Sequence, residues 1–183
     1  SDVYLIRSSK KLNQTELLIK VKSHILKIYV KNLNVYNVLS SIALLSVLKL
    51  DYKKIIKYFN EYEPSEGRGR IYNIKRYNKK FKLIDESYNA NPLSVKNAIK
   101  SFNSIKKQNF KKYLIIGDML ELGKQSDQLH KNLFRVINNS DIDKVFVKGE
   151  KTLNAYKNII KKKRGNILQN EEDVDFTLNN IIA

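Results

Sequence analysis

The 183-residue chain has no cysteine and no tryptophan, one methionine, two prolines and six glycines. Without cysteine there is no disulfide scaffold, no thiolate nucleophile and no Cys-ligated zinc. His24 and His130 are the only histidines, too few for a histidine-rich metal site. No apolar run approaches the roughly 18 residues that a membrane-spanning helix requires, and no leader pattern precedes the first strand. Met119 is the sole methionine, so Ser1 is not expected to be a natural start. The expectation is a soluble, cytoplasmic piece cut from a longer protein.

Acidic residues are scarce as well: 35 Lys+Arg face 18 Asp+Glu, a net charge of +17. An excess of that size raises the alternative of a basic nucleic-acid-binding module, driven by counterion release from phosphates. Its distribution argues against one. Residues 1–63 hold 11 basic and 5 acidic side chains and residues 64–183 hold 24 and 13, about the same density in each. Lysine outnumbers arginine 29 to 6, whereas bidentate readout of bases and phosphates favours arginine. The abundance of Lys, Ile and Asn looks like AT-biased coding. The run Lys161–Arg164 reads as a helix end that complements the macrodipole.

What is present suits a core, with 42% hydrophobic and 29% charged residues. Residues 3–6, 17–21 and 25–30 alternate as short antiparallel strands, with turn signals at Leu12-Asn13-Gln14 and Lys22-Ser23-His24. From Val35 to Leu50 the apolar spacing becomes helical, with Asn34 as N-cap, and Asp51 caps a second helix. Glu63-Pro64-Ser65-Glu66-Gly67 interrupts both periods and is the best linker. The expected domains are therefore 1–63 and 64–183. Beyond the linker, strands 71–74, 81–84, 113–116, 145–147 and 167–168 alternate with helices opening at Pro92, near Leu129, at Leu153 and at Val174. That pattern predicts a three-layer α/β domain with a mostly parallel sheet, and a strand at 113–116 buried on both faces. Ligands of such sheets bind at the carboxyl ends of the strands.

Three segments there carry chemistry. Strand 81–84 runs into Asp85-Glu86-Ser87-Tyr88-Asn89-Ala90-Asn91-Pro92, a longer and more polar turn than a plain connection needs. Asp85 sits where an acid accepts hydrogen bonds from ribose hydroxyls; Asn89 and Asn91 can orient peptide or phosphate oxygens. A simple loop with an Asx turn and a helix N-cap is the competing reading. Gly67-Arg68-Gly69-Arg70 allows close backbone approach and an arginine clamp on phosphate, though a hinge with solvated arginines fits equally. Gly117-Asp118-Met119-Leu120-Glu121-Leu122-Gly123-Lys124 is not a P-loop: five residues separate its glycines, and Gln125 replaces the Ser/Thr that would hold Mg²⁺. His130 reads as a satisfied core or surface histidine.

In this order the three segments resemble the Mur ligases, and among them the MurF branch, which joins D-alanyl-D-alanine to a UDP-N-acetylmuramoyl-tripeptide. Asp85–Pro92 is similar to that branch's DDSYNANP, with Glu86 for the second Asp. Gly117–Gly123 with His130 is similar to its GDMxELG…H. Asn34–Leu39 resembles its HNxxNAL helix start, with Leu33 in place of the histidine. A sister Mur or folylpolyglutamate-type ligase is the second enzymatic alternative, disfavoured by the spelling Tyr88-Asn89-Ala90-Asn91.

The resemblance implies the end of a central ATPase domain, followed by most of a Rossmann-like C-terminal domain. The P-loop would lie upstream and a KGSR-like turn downstream, so this piece alone is expected to be inactive. It implies ATP and Mg²⁺ as cofactors, with the metal ligands mostly elsewhere and no metal ligand in this chain. Phosphorylation of the tripeptide carboxylate would give an acyl phosphate, which the dipeptide amine then attacks. It implies Asn34 at the adenine, Arg68 at the phosphates and Asp85 at the ribose, with Arg68 and Asp85 the catalytic pair. Tyr88, Asn89 and Asn91 would lie near the dipeptide. It implies a cytoplasmic, monomeric bacterial enzyme in peptidoglycan precursor synthesis, with domain closure about Pro64–Gly67.

Overall fold

Alternating apolar side chains give residues 15–30 one buried face. In the computed structural model, which describes residues 2–10, 14–31, 33–76 and 78–182, the chain divides into two units, residues 1–70 and 71–183. The first unit opens with strands β1 (Val3–Lys10), β2 (Thr15–Val21) and β3 (His24–Val30), paired antiparallel in that order. Register places Leu17 opposite Ile28 and Ile19 opposite Leu26, and all four are at most 7% exposed. Lys22, at φ 52°, helps make the β2–β3 turn; Leu12 and Asn13 of the other expected turn lie outside the described residues.

Two helices cover that face. Helix α1 (Val35–Val47) starts where Asn34 Oδ1 accepts the Tyr36 N–H at 2.8 Å. It buries Val38 and Ile42 against the strands. Although apolar spacing continues to Leu50, Lys49 turns left-handed at φ 56°. Leu50 N–H then reaches Leu45 O at 3.0 Å and Lys49 N–H reaches Ser46 O at 3.3 Å, a Schellman end that stops the helix three residues early. Helix α2 (Tyr52–Glu61) is capped by Asp51, which accepts the Lys53 N–H at 3.1 Å, and it adds Ile56 and Phe59 to the cluster. Each fully buried aliphatic side chain here contributes about 1.5–3 kcal/mol.

The second unit is built on three parallel strands, β6 (Tyr113–Ile116), β7 (Lys144–Val147) and β8 (Arg164–Ile167), hydrogen-bonded in chain order. One face carries Ile116, Val145 and Val147. These pack with Ile99 of α3 (Pro92–Ser104), with Leu133, Phe134 and Ile137 of α4 (Ser126–Asn138), and with Ala155 of α5 (Glu150–Tyr156). Phe146 and Tyr113 point the other way, meeting edge-on at 6.3 Å between ring centres, on the side of α6 (Glu171–Ile182). The α/β class and the parallel sheet are those the alternation predicts.

Two expectations are corrected. Strands β4 (Arg70–Arg76) and β5 (Lys79–Asp85) form their own two-stranded sheet, because the two residues between them are far too few for a parallel crossover. Among the described residues no ladder joins them to β6–β8. Nor is β6 buried on both faces: Ile115 is 49% exposed, with no described residue of its unit covering that part of the sheet.

Two buried lysines finish helices. Lys112, 1% exposed, directs Nζ to Asn103 O at 3.1 Å and to both Asp141 carboxylate oxygens at 2.8 Å, near the end of α3. Lys163 Nζ donates to Ile137 O at 2.9 Å and to Ser140 O, at the end of α4. The run Lys161–Arg164, expected to be a helix end, is instead a 3₁₀ turn (Lys161–Lys163) beyond α5; of its side chains, Lys163 meets the carbonyls closing α4 and Arg164 those following α5. Burial, and then the neighbouring Lys162 charge, lower the Lys163 pKa.

Candidate active site

The loop after β5 is open. Asp85 ends the strand half-buried, and its Oδ1 accepts the Ser87 N–H at 3.1 Å in an Asx turn. Glu86, Tyr88 and Asn89 are exposed, Tyr88 at 66%. Partial burial and then the Asp85 charge raise the Glu86 carboxyl above its ordinary value. The loop closes on Asn91, whose Oδ1 accepts the N–H groups of Leu93 at 3.0 Å and Ser94 at 2.9 Å. Ser94 Oγ accepts the Asn91 N–H at 3.0 Å. This is a capping box with Pro92 at the first helical position. Both parts of the structural reading, Asx turn and N-cap, are therefore present; Asn91 Oδ1 is committed to the helix while its amide N–H₂ is not needed there.

The loop after β6 is closed. Asp118 reaches across to the start of α5, where Oδ1 accepts from Thr152 N at 2.7 Å and Thr152 Oγ1 at 2.9 Å, and Oδ2 from Lys151 N at 3.1 Å. Burial alone would raise this carboxyl; the hydrogen bonds from Thr152 and Lys151 outweigh it and hold the pKa below the usual carboxylate range. Gly149 makes room: at φ 108°, a Cβ there would lie 2.4 Å from Asp118 Cγ. His130, 1% exposed, accepts the Met119 N–H at Nε2 (3.0 Å) and faces Ser126 O from Nδ1 (2.7 Å). Those partners define the neutral tautomer with the proton on Nδ1. Neither ring nitrogen is open to a substrate.

Asn34 and Arg68 belong to the first unit. Asn34 is exposed and caps α1. Arg68 is exposed in the turn after Ser65, where its N–H reaches Ser65 O at 3.1 Å, between Gly67 at φ 72° and Gly69 at φ 84°. Asp85, Tyr88, Asn89 and Asn91 share one loop of the second unit. The residue that sequence reasoning left without a role is Asp118. Its place in the Gly117–Gly123 motif after an apolar strand was the signal, but the partner, Thr152, lies 34 positions away.

A polar loop at the carboxyl end of a strand, and a braced loop after the first strand of a parallel sheet, define an α/β domain of the Rossmann-like class. Solved structures share it. MurF from Acinetobacter baumannii matches 99% of this chain and 39% of its own length at TM-score 0.81 and 22% identity. The MurF ligase from Thermotoga maritima in complex with ADP matches 97% of this chain and 39% of its own at TM-score 0.73 and 20% identity. The UDP-N-acetylmuramoyl-tripeptide–D-alanyl-D-alanine ligase of Rickettsia prowazekii is 34% identical over 113 residues, 62% of this chain and 24% of that protein. Its Bacillus subtilis counterpart is 43% identical over 68 residues, 37% of this chain and 15% of that protein. The chain thus spans well under half the length of the relatives it matches. The family described as Mur ligase, glutamate ligase domain, matches residues 69–178. The chain belongs to the Mur ligase family.

Proposed function

We propose that this chain is the carboxyl-terminal part of an ATP-dependent amide ligase that adds D-alanyl-D-alanine to UDP-N-acetylmuramoyl-tripeptide in peptidoglycan precursor synthesis. The observation that carries it is the family match over residues 69–178 together with relatives bearing that ligase's name. The open loop at Asp85 lies inside the matched segment. The enzyme would work in the bacterial cytoplasm as a monomer.

Asp85 suits a ribose hydroxyl: a half-buried carboxylate fixed at a strand end by the Ser87 N–H. Asn34 would meet the adenine through its amide, since its carbonyl oxygen caps α1. Arg68, an exposed guanidinium between two left-handed glycines, would neutralise phosphate charge. ATP supplies the phosphoryl group that activates the tripeptide carboxylate. Mg²⁺ would be held mostly by groups outside this chain and would supply charge neutralisation at the phosphates. Tyr88, Asn89 and the Asn91 amide would orient the incoming dipeptide. Their work is positioning, which concentrates the amine on the reacting carbonyl.

The test is ATP-dependent product formation by the complete gene product carrying these residues, followed by product mass and ADP release. Arg68→Ala is expected to cost about 2–4 kcal/mol of transition-state stabilisation, read as kcat/KM. Unchanged kcat/KM would remove Arg68 from the site, and absence of ligation by the intact protein would overturn the reading. The 183-residue chain alone is expected to show no turnover.

A further inference from the structure

A second site lies at the other end of the parallel sheet. The amino ends of β6, β7 and β8 supply Tyr113, Lys144 and Arg164, and with α6 they border a cavity of about 510 Å³. That volume is in the range that holds a small ligand. Its border also includes Lys111, Lys162 and one acid, Asp143. The acid is already engaged: Lys107 Nζ donates to Oδ1 at 2.7 Å, and the Lys112 N–H to Oδ2 at 2.7 Å. Burial would raise the Asp143 carboxyl, yet these bonds and the Lys107 and Lys111 charges hold it low, so it stays ionised and matched to Lys107.

Among the described residues the remaining four cations form no ion pair, although the Lys111 charge also acts on Asp143. Arg164 is braced by main-chain acceptors, Nε on Ile159 O at 2.8 Å and a terminal nitrogen on Lys157 O at 2.7 Å. Among the described residues Lys144 Nζ donates to Arg164 O, at 3.1 Å. Neither Lys111 nor Lys162 forms an ion pair among the described residues. One wall is apolar, the crossed rings of Tyr113 and Phe146. The opposite wall is polar, with Thr177 and Asn180 of α6. Gly165 keeps this shape, because a Cβ there would strike the Phe146 ring at 2.6 Å.

We propose that this cavity binds a phosphate-bearing anion of mononucleotide size or smaller, held by Lys111, Lys144, Lys162 and Arg164 against the Tyr113–Phe146 wall. Several cations bordering one concave surface favour multiply charged oxyanions, and an aromatic wall favours one with a flat organic part. The site lies wholly within residues 111–181 and does not depend on the ligase reading.

The experiment titrates the chain by calorimetry with inorganic pyrophosphate and, separately, with adenosine monophosphate, at near-physiological salt. One saturable site is expected for at least one probe. Tighter pyrophosphate assigns the compact anion; tighter nucleotide assigns the organic phosphate. The double variant Lys144→Glu/Lys162→Glu is expected to weaken that site at least tenfold. Arg68→Ala, and Lys131→Glu in the smaller α4–α5 cavity, should leave it unchanged. If the double variant unfolds, Lys111→Gln and Lys162→Gln singly replace it, each expected to weaken binding severalfold while urea midpoints stay at the parent value. No saturable binding by either probe, or equal weakening by Lys131→Glu, would overturn the proposal. Loss on Arg68→Ala would reassign the signal to the nucleotide site of the ligase and overturn it too.

Discussion

The loop after β5 and the loop after β6 both match the fingerprint of one family, and both leave the carboxyl end of a strand. They use their polar groups in opposite ways. After β5, Glu86, Tyr88 and Asn89 are exposed, while Asp85 and Asn91 accept from the backbone of their own loop and helix start. After β6, Asp118 and His130 are fully engaged with the protein's own backbone. A motif can therefore mark a family through the scaffold it braces as well as through the ligand it touches. Only hydrogen-bond accounting tells the two apart.

Breaking the braced loop should show up in stability. Gly149→Ala combines a left-handed φ of 108° with a 2.4 Å approach to Asp118, and is expected to cost about 3 kcal/mol or more. The check is the urea midpoint at constant slope. Next comes His130→Ala, which strands the Met119 N–H in the core and opens a cavity, for about 2–3 kcal/mol. A lost activity with an unchanged midpoint would instead make His130 a chemical group.

Asp118→Asn should be milder, about 1 kcal/mol at neutral pH, and its pH dependence carries the sharper signature. Because the folded pKa is lowered, the carboxylate's stabilisation is complete above the unfolded value of about 4 and fades as pH falls through the folded one. Parent and variant stabilities should converge on acidification below about pH 4. Parallel curves would mean that Asp118 titrates normally.

The open loop sharpens the contrast with the smallest effect. Asn91→Ala removes a cap, at about 1 kcal/mol, whereas Asn91→Ser keeps the cap and loses the amide. If the amide meets the dipeptide, the serine variant recovers the parent's urea midpoint while KM for the dipeptide stays raised. Recovery of both would make Asn91 a cap alone.

Much of this was legible beforehand because it is local. Asn34, Asp51 and Asn91 cap the helices that their positions announce, and the strand periods locate the core of each unit. What was hidden is non-local. Apolar spacing cannot reveal the left-handed Lys49 that ends α1, nor that β5 pairs with β4 alone. The reach of Asp118 to Thr152 is likewise invisible until β6 and β7 stand side by side. In the candidate site, residue type suggested a ligand contact for Asn91 and the family resemblance one for Asn34, while the helix caps both of them make were legible from position alone.

The ammonium groups of Lys112 and Lys163 sit at helix ends on clustered oxygens, Lys112 on Asn103 O and the Asp141 carboxylate, Lys163 on Ile137 O and Ser140 O. A guanidinium is flat and wider, so arginine could not occupy either pocket without displacing the turn around it. If base-composition drift has steadily exchanged arginine codons for lysine codons, a return of that drift would pass unnoticed over most of the surface. At these two positions it would not, and the choice of amine is there a matter of shape.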